Sequence, residues 1–136
     1  MTDPAPRQLP GLDGDNDAFW TGGRDGRLMI HRCRACARYI HPPLPHCGDC
    51  GAADPAPTAV SGRGRIATFT VNHQPWLPWM AVPYVFAAIE LAEQPELYVL
   101  SNIVGCAPEA IHRGMVVAVR FEQHGDIFVP LFAPAA

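Results

Sequence analysis

At 136 residues the chain has room for one ordinary domain, or for a small core with a metal-pinned appendage. Hydrophobic residues make up 49% of it, which excludes wholesale disorder. Ten basic residues, all arginine, stand against thirteen acidic ones for a net charge of −3, without the basic excess a nucleic-acid binder normally carries.

Residues 1–12 read as a loose tail. The stretch 1–14 is polar, holds Pro4, Pro6 and Pro10 and has no apolar run, so no secretory leader is expected. Later apolar stretches such as 82–92 are too short to span a bilayer. These features predict a cytoplasmic protein with reduced cysteines and no membrane partner.

Residues 13–20 predict a short helix, with Asp13 or Asp15 as cap, Phe19 and Trp20 as its apolar end, and Gly22 and Gly23 as its stop. Residues 27–31 predict a strand that runs into Cys33, Cys36, Cys47 and Cys50. Their spacing is Cys-x2-Cys-x10-Cys-x2-Cys, two knuckles that can close a tetrahedron of thiolates around one metal ion. Zinc suits such a site, and iron in a rubredoxin-type site uses the same four sulfurs. Four protein ligands leave no open position, so the metal is expected to be structural. Two disulfides are the alternative, and they need an oxidising compartment to which nothing in the sequence points. A redox role would need only one knuckle. Between the knuckles, 39–45 is too proline-rich for a helix and is expected to be extended. Residues 52–58, rich in proline, alanine and aspartate, read as a linker.

From Val60 onward the texture is that of strands. They are predicted at 64–72, 84–91, 97–104, 115–121 and 127–132. In the first of them Ile66, Thr68 and Thr70 are expected on one side and Ala67, Phe69 and Val71 on the other. A helical turn is predicted at 108–112, with Pro108 at its first position and Gly114 closing it. Five strands with a small helix between the third and fourth is the order of an OB-fold barrel. The expected fold is therefore mainly β: a short N-terminal helix, a rubredoxin-like zinc ribbon and a five-stranded OB barrel. The expected division is tail 1–12, helix and ribbon 13–58, and barrel 59–133.

No dinucleotide, phosphate-loop, nucleophile-elbow or zinc-protease motif occurs. Cys106, the cysteine left over, falls just before Pro108, where a buried structural thiol is the ordinary outcome. His31, His41 and His46 neighbour the knuckles as rival ligands or, with four sulfurs present, as supporting or surface residues. Catalytic residues are therefore expected to be none. Two groups are candidates for contact. Trp76, Leu77, Trp79 and Met80 crowd a loop with Pro75, Pro78 and Pro83, where a barrel needs only a connection. They either face a partner or acyl group or cap the barrel. Arg32, Arg34 and Arg38 form a small positive cluster around the first knuckle, suited to an acidic partner surface or the phosphates of CoA.

Several segments together carry a family resemblance. They are Arg32-Cys33-Arg34-Ala35-Cys36, Pro42-Pro43, Cys47-Gly48-Asp49-Cys50-Gly51, Ser61-Gly62-Arg63-Gly64 and Pro83-Tyr84-Val85. The run from Ser101 to Glu109, then Gly114-Met115 and Val119-Arg120-Phe121-Glu122, completes the set. In order and spacing, over about residues 15–133, this resembles the zinc-ribbon/OB-fold proteins grouped as domain of unknown function thirty-five. Ala37, Leu44 and Ala107 depart from the family pattern, which often has a glycine, a basic residue and an acidic cap there. The resemblance implies a non-catalytic accessory subunit of a thiolase-like enzyme that makes or breaks carbon–carbon bonds in acyl-CoA. Retro-aldol cleavage of a steroid side-chain CoA thioester is one such reaction. It also implies a heterotetramer-type assembly with acyl-CoA at or near the interface and structural zinc in the ribbon. The alternative, from fold class, is a single-stranded nucleic-acid-binding protein; with so little basic charge on the strands, no nucleic acid is expected.

Overall fold

The structure, a computed structural model, describes residues 7–135; the first six residues of the expected tail lie outside the described residues. Helix α1 spans Asp17–Thr21 and starts later than the sequence predicts. Asn16 N–H donates to Asp13 Oδ1 at 2.9 Å while Asp13 N–H donates to Asn16 Oδ1 at 3.1 Å. This is the reciprocal bonding of a capping box. It closes a bend instead of a helical turn, because Gly14 between them is left-handed (φ 81°). The α-helix stops at Thr21 with Gly22 as its C-cap, as the glycine pair predicts. The chain continues as a 3-10 turn over Gly22–Asp25 and is ended by Gly26 at φ 69°.

Three strands form the ribbon sheet: β1 (Leu28–Arg32), β2 (Tyr39–Ile40) and β3 (Ala56–Val60), antiparallel in the order β2-β1-β3. The last three residues of the expected linker, 56–58, are thus strand. Its prolines misled the reading, since β3 is an edge of the sheet and Pro57 needs no partner on its outer side.

The barrel follows: β4 (Arg63–Asn72), β5 (Tyr84–Leu91), β6 (Tyr98–Ile103), β7 (Val116–His124) and β8 (Ile127–Pro134). The strands close in the order β4-β5-β6-β8-β7, with β4 pairing β7, which is the OB arrangement. A single 3-10 turn, Pro108–Ala110, joins β6 to β7. Strand β4 departs from simple alternation. A bulge between Ile66 and Thr68 shifts the register. Gly64 and Ile66 are buried before it, whereas Phe69 and Val71 face the core after it. A one-residue insertion exchanges the faces of a strand, so Ile66 does not share a side with Thr68 and Thr70.

The ribbon and barrel share one core. Leu28 and Ile30 of β1 pack with Ile66, Ile89, Leu91, Val99, Val117 and Phe132 of the barrel. Such burial stabilises by about 25 cal/mol per Å² of apolar surface removed from water. Outside the barrel, Trp20 of α1 covers Ile127, Val129 and Leu131 of β8. Among the described residues no helix is long and apolar enough to cross a membrane.

Candidate functional site

Each knuckle is built by the backbone. After Cys33 the chain turns so that Ala37 N–H reaches Cys33 O (3.1 Å) and Cys33 N–H reaches Arg38 O (2.8 Å). After Cys47 the same pattern recurs, with Gly51 N–H on Cys47 O and Cys47 N–H on Ala52 O, both at 2.9 Å. Both turns need a left-handed residue, filled by Gly51 at φ 76° and by Ala37 at φ 67°. Alanine there carries a strain of about 1–2 kcal/mol that glycine avoids.

The four sulfurs of Cys33, Cys36, Cys47 and Cys50 lie within 4.8 Å of one another. Cys33 and Cys50 are 3.5 Å apart and Cys36 and Cys47 are 3.6 Å apart. Sulfurs of a tetrahedral zinc site, with Zn–S about 2.3 Å, are separated by about 3.8 Å. The donor set and spacing therefore fit a metal ion bound by all four cysteines. Backbone N–H groups of Cys36 and Asp49 point at Cys33 and Cys47, each at 3.4 Å. They favour thiolate: the Cys36 N–H is the main cause that holds Cys33 down at about 6, and the N–H groups of Cys50 and Asp49 lower Cys47. The other two thiols are shifted the opposite way. Cys36 receives the Arg38 N–H, which lowers it, but its bond with Cys33, its burial and its bonds with Cys47 and Cys50 push it up to about 12. Cys50 is likewise raised despite the Ala52 N–H, through Cys33, burial and Cys47. A bound cation would require all four as thiolates and so would displace any protons they hold.

The histidines near the knuckles stay outside the sulfur cluster. His41 lies 4.9 Å from the Phe19 ring, and burial, with His31 nearby, lowers its pKa. The three arginines are tied to the ribbon itself. Arg32 lies over Tyr39 (4.5 Å) and donates to Ala37 O (2.7 Å); Arg34 donates to Asp54 O (2.7 Å); Arg38 pairs Asp49 (3.0 Å). Arg34 and Arg38 remain exposed, with N–H donors beyond those bonds.

The tryptophan loop divides its residues between two surroundings. Trp76 is 70% exposed, whereas Trp79 and Met80 are half-buried and line a cleft at the barrel end, and Leu77 is also half-buried. Trp79 lies beneath Arg7, whose Nε also meets Glu122 Oε1 at 3.0 Å. The same oxygen is 2.7 Å from His124 Nε2. Sequence reasoning missed Arg7, Glu122 and His124 as a group. A signal was present, since residues two apart on a strand share a face. On the outer face of β5 and β6, Phe86 (44% exposed) and Leu100 (63%) stand diagonally across the ladder, with Tyr98 beside Leu100.

Comparison with known proteins now bears on this arrangement. The rubredoxin-like zinc ribbon domain of ChsH2 matches residues 20–56, and the C-terminal OB-fold domain of ChsH2 matches residues 57–122. The chain belongs to the ChsH2/DUF35 zinc-ribbon/OB-fold family. Within that family it is 36% identical over 132 residues to a probable enoyl-CoA hydratase alpha subunit of Thermomonospora curvata, covering 96% of this chain and 41% of that protein. It is 31% identical over 124 residues to the 3-oxo-4,17-pregnadiene-20-carboxyl-CoA hydratase alpha subunit of Mycobacterium tuberculosis, covering 91% of this chain and 39% of that one. The chain thus spans about two fifths of those two ChsH2-type relatives. A DUF35 domain-containing scaffold protein of Methanocaldococcus jannaschii is 32% identical over 104 residues, 73% of this chain and 72% of that protein. A solved structure described as an Ltp2-ChsH2(DUF35) aldolase has a TM-score of 0.82 and 36% identity, covering 94% of this chain and 100% of the chain matched.

Proposed function

We propose that this chain is a non-catalytic accessory subunit of a thiolase-like enzyme that makes or breaks a carbon–carbon bond in an acyl-CoA. Retro-aldol cleavage of a steroid side-chain CoA thioester is the favoured reaction. The single observation that carries the reading is the match to the aldolase-associated DUF35 chain over its entire length at 36% identity. The steroid-CoA hydratase relative supports a CoA thioester as the substrate class, and the relative from Methanocaldococcus jannaschii, a scaffold protein, supports an accessory role.

In this reading Cys33, Cys36, Cys47 and Cys50 hold structural zinc and stiffen the ribbon, while iron would give the same geometry and a visible colour. The barrel domain, 59–133, and the helix-and-ribbon unit, 13–58, act as one body through their shared core. The partner docks on the exposed side, with Trp76 and Leu77 toward it; Arg34 and Arg38, with Arg32 behind them, face acidic partner groups or CoA phosphates. The partner supplies the acid–base groups, and a heterotetramer-type assembly in the cytoplasm is the expected form.

The nucleic-acid alternative has stacking surface in Phe86 and Tyr98, on the strands where OB barrels bind bases. The charges beside them are Glu90, opposite Tyr98, and Glu96, which repel phosphate.

The test is affinity purification of the tagged chain from its native host with mass-spectrometric identification of what accompanies it. A thiolase-fold enzyme in stoichiometric amount is expected, with recovery reduced at least tenfold by Trp76→Ala. Recovery of nucleic acid, or of nothing, overturns the reading.

A further inference from the structure

The N-terminal segment ends inside the barrel end. Residues 7–13 belong to no helix or strand, and Gln8, Leu9, Gly11 and Leu12 are exposed. The side chain of Arg7 is the exception, at 24% exposed. It enters the cleft of about 560 Å³ between the tryptophan loop and the Pro108–Ala110 turn. There its Nε meets Glu122 Oε1 at 3.0 Å, and its guanidinium lies 5.1 Å over the ring of Trp79. Both contacts reach elements remote in sequence, so Arg7 fastens an otherwise exposed segment to β7 and to the loop wall of the cleft.

These contacts are of a kind that can be released. Glu122 Oε1 is also 2.7 Å from His124 Nε2, so the carboxylate keeps a partner when Arg7 leaves. The guanidinium passes to water, and a partly exposed ion pair gains little over its hydrated ions. Trp79 pushes the same way. Its indole Nε1 is buried without a hydrogen-bond partner among the described residues. An unpaired buried donor is a cost of the closed state, and water entering an opened cleft removes it. The chain can also swing. A Cβ at Gly11 or at Gly14 would meet nothing within 4 Å, so neither position is held by packing. Beyond them α1 stays docked on β8 through Trp20. Closed and open forms are therefore close enough in free energy to exchange by local opening.

We infer that residues 7–12 are a releasable strap, latched by Arg7 on Glu122 and Trp79, and that this strap controls access to the barrel-end cleft. The inference goes beyond the accessory role and is independent of it, since the latch is made entirely by this chain's own residues.

The experiment uses the full, metal-loaded chain and reads closure in two ways. One is the exchange of the Trp79 indole N–H with water, followed by nuclear magnetic resonance against the exposed Trp76 as internal standard. The other is the rate at which Cys106, half-buried in the same cleft, reacts with iodoacetamide, followed by peptide mass. Arg7→Ala is expected to speed the indole exchange about tenfold and the alkylation about fivefold, through more frequent opening. Deletion of residues 1–12 should match Arg7→Ala. Sodium chloride at about 1 M screens the ion pair, so it should speed both rates in the unaltered chain and neither in Arg7→Ala. Should the variant fail to fold, the salt response of the unaltered chain still decides the matter. Rates indifferent to the substitution, the deletion and salt overturn the inference. A deletion that speeds both rates while Arg7→Ala does not overturns Arg7 as the latch.

Discussion

The side chain of Gln94 bonds both backbone groups of Tyr39: its Oε1 accepts the Tyr39 N–H at 2.8 Å and its Nε2 donates to the Tyr39 carbonyl at 3.1 Å. Gln94 belongs to the barrel's β5–β6 connection and Tyr39 to the short ribbon strand β2. One glutamine therefore stands in for a strand at the free edge of the ribbon sheet and ties the cysteine-bearing loop to the barrel. Gln94→Leu leaves two half-buried backbone groups without partners. The expected cost is about 2 kcal/mol in urea unfolding, at about 1 kcal/mol per bond. Metal content should be unchanged, because no ligand moves. A variant as stable as the parent would show that water replaces the amide without loss.

The metal centre gives the second prediction. The ribbon's own hydrophobic cluster is small: Cys33, Ile40 and Cys47 with Ala52 against them. A unit of that size has little apolar burial with which to offset chain entropy, so a metal bound by the four cysteines would supply much of its folding free energy. The purified chain is expected to carry one metal ion, and Cys36→Ser to lower metal content at least tenfold, measured by mass spectrometry of the elements. Chelation should abolish partner recovery while the far-ultraviolet signature of the barrel strands remains. Full metal retention by the serine variant would mean that three sulfurs and an oxygen suffice.

Gly23 is the clearest case of a residue whose role the sequence conceals. A Cβ there would lie 2.5 Å from Phe128 Cβ and 2.6 Å from Phe121 Cδ1. The 3-10 turn presses backbone against the β7–β8 hairpin at that point, and Trp20 one turn earlier covers β8. Gly23→Ala is expected to destabilise by about 2–3 kcal/mol through overpacking. The lost docking of α1 would show as a red shift of tryptophan emission. An unaltered thermal midpoint would show that the turn can lift without cost.

Much of this molecule was legible in the chain because its signals are local. Four cysteines at fixed spacing specify the cluster, and the alternating runs at β5 through β8 specify the barrel nearly strand for strand. What escaped depended on partners remote in sequence. The glycine pair reads as a helix stop, and it is one, but nothing local shows that Gly23 is also pressed against Phe121 and Phe128. Prolines in 52–58 read as a linker until β1 shows that β3 is an edge strand. The bulge at Ala67 has no composition of its own, yet it decides which half of β4 faces inward. The contact residues divide in the same way. Trp76 and Trp79 are equivalent in sequence, and only the position of Arg7 and Glu122 turns one toward solvent and the other toward the cleft.

The Arg7–Glu122–His124 cluster carries the last prediction. The hydrogen bond from His124, and after it the charge of Arg7, hold the Glu122 carboxyl below its usual range against the opposing effect of burial. A carboxyl whose folded value is depressed favours the native state once it is ionised in both states. Its contribution is therefore complete above the ordinary value of about 4.3 and fades as pH falls through the lower folded value. The stability difference between the parent and Glu122→Gln should accordingly be constant from about pH 5 to 7 and shrink below about pH 4. Acid also protonates the cysteine ligands, but it does so in both proteins, so that loss cancels in the difference. Urea unfolding of the pair across this range is the measurement, with tryptophan emission reporting release of Trp79 from Arg7. A difference that widens on acidification would mean that burial dominates and raises the carboxyl. The cluster would then be a proton store, and the loop wall of the cleft would not be clamped by charge at neutral pH.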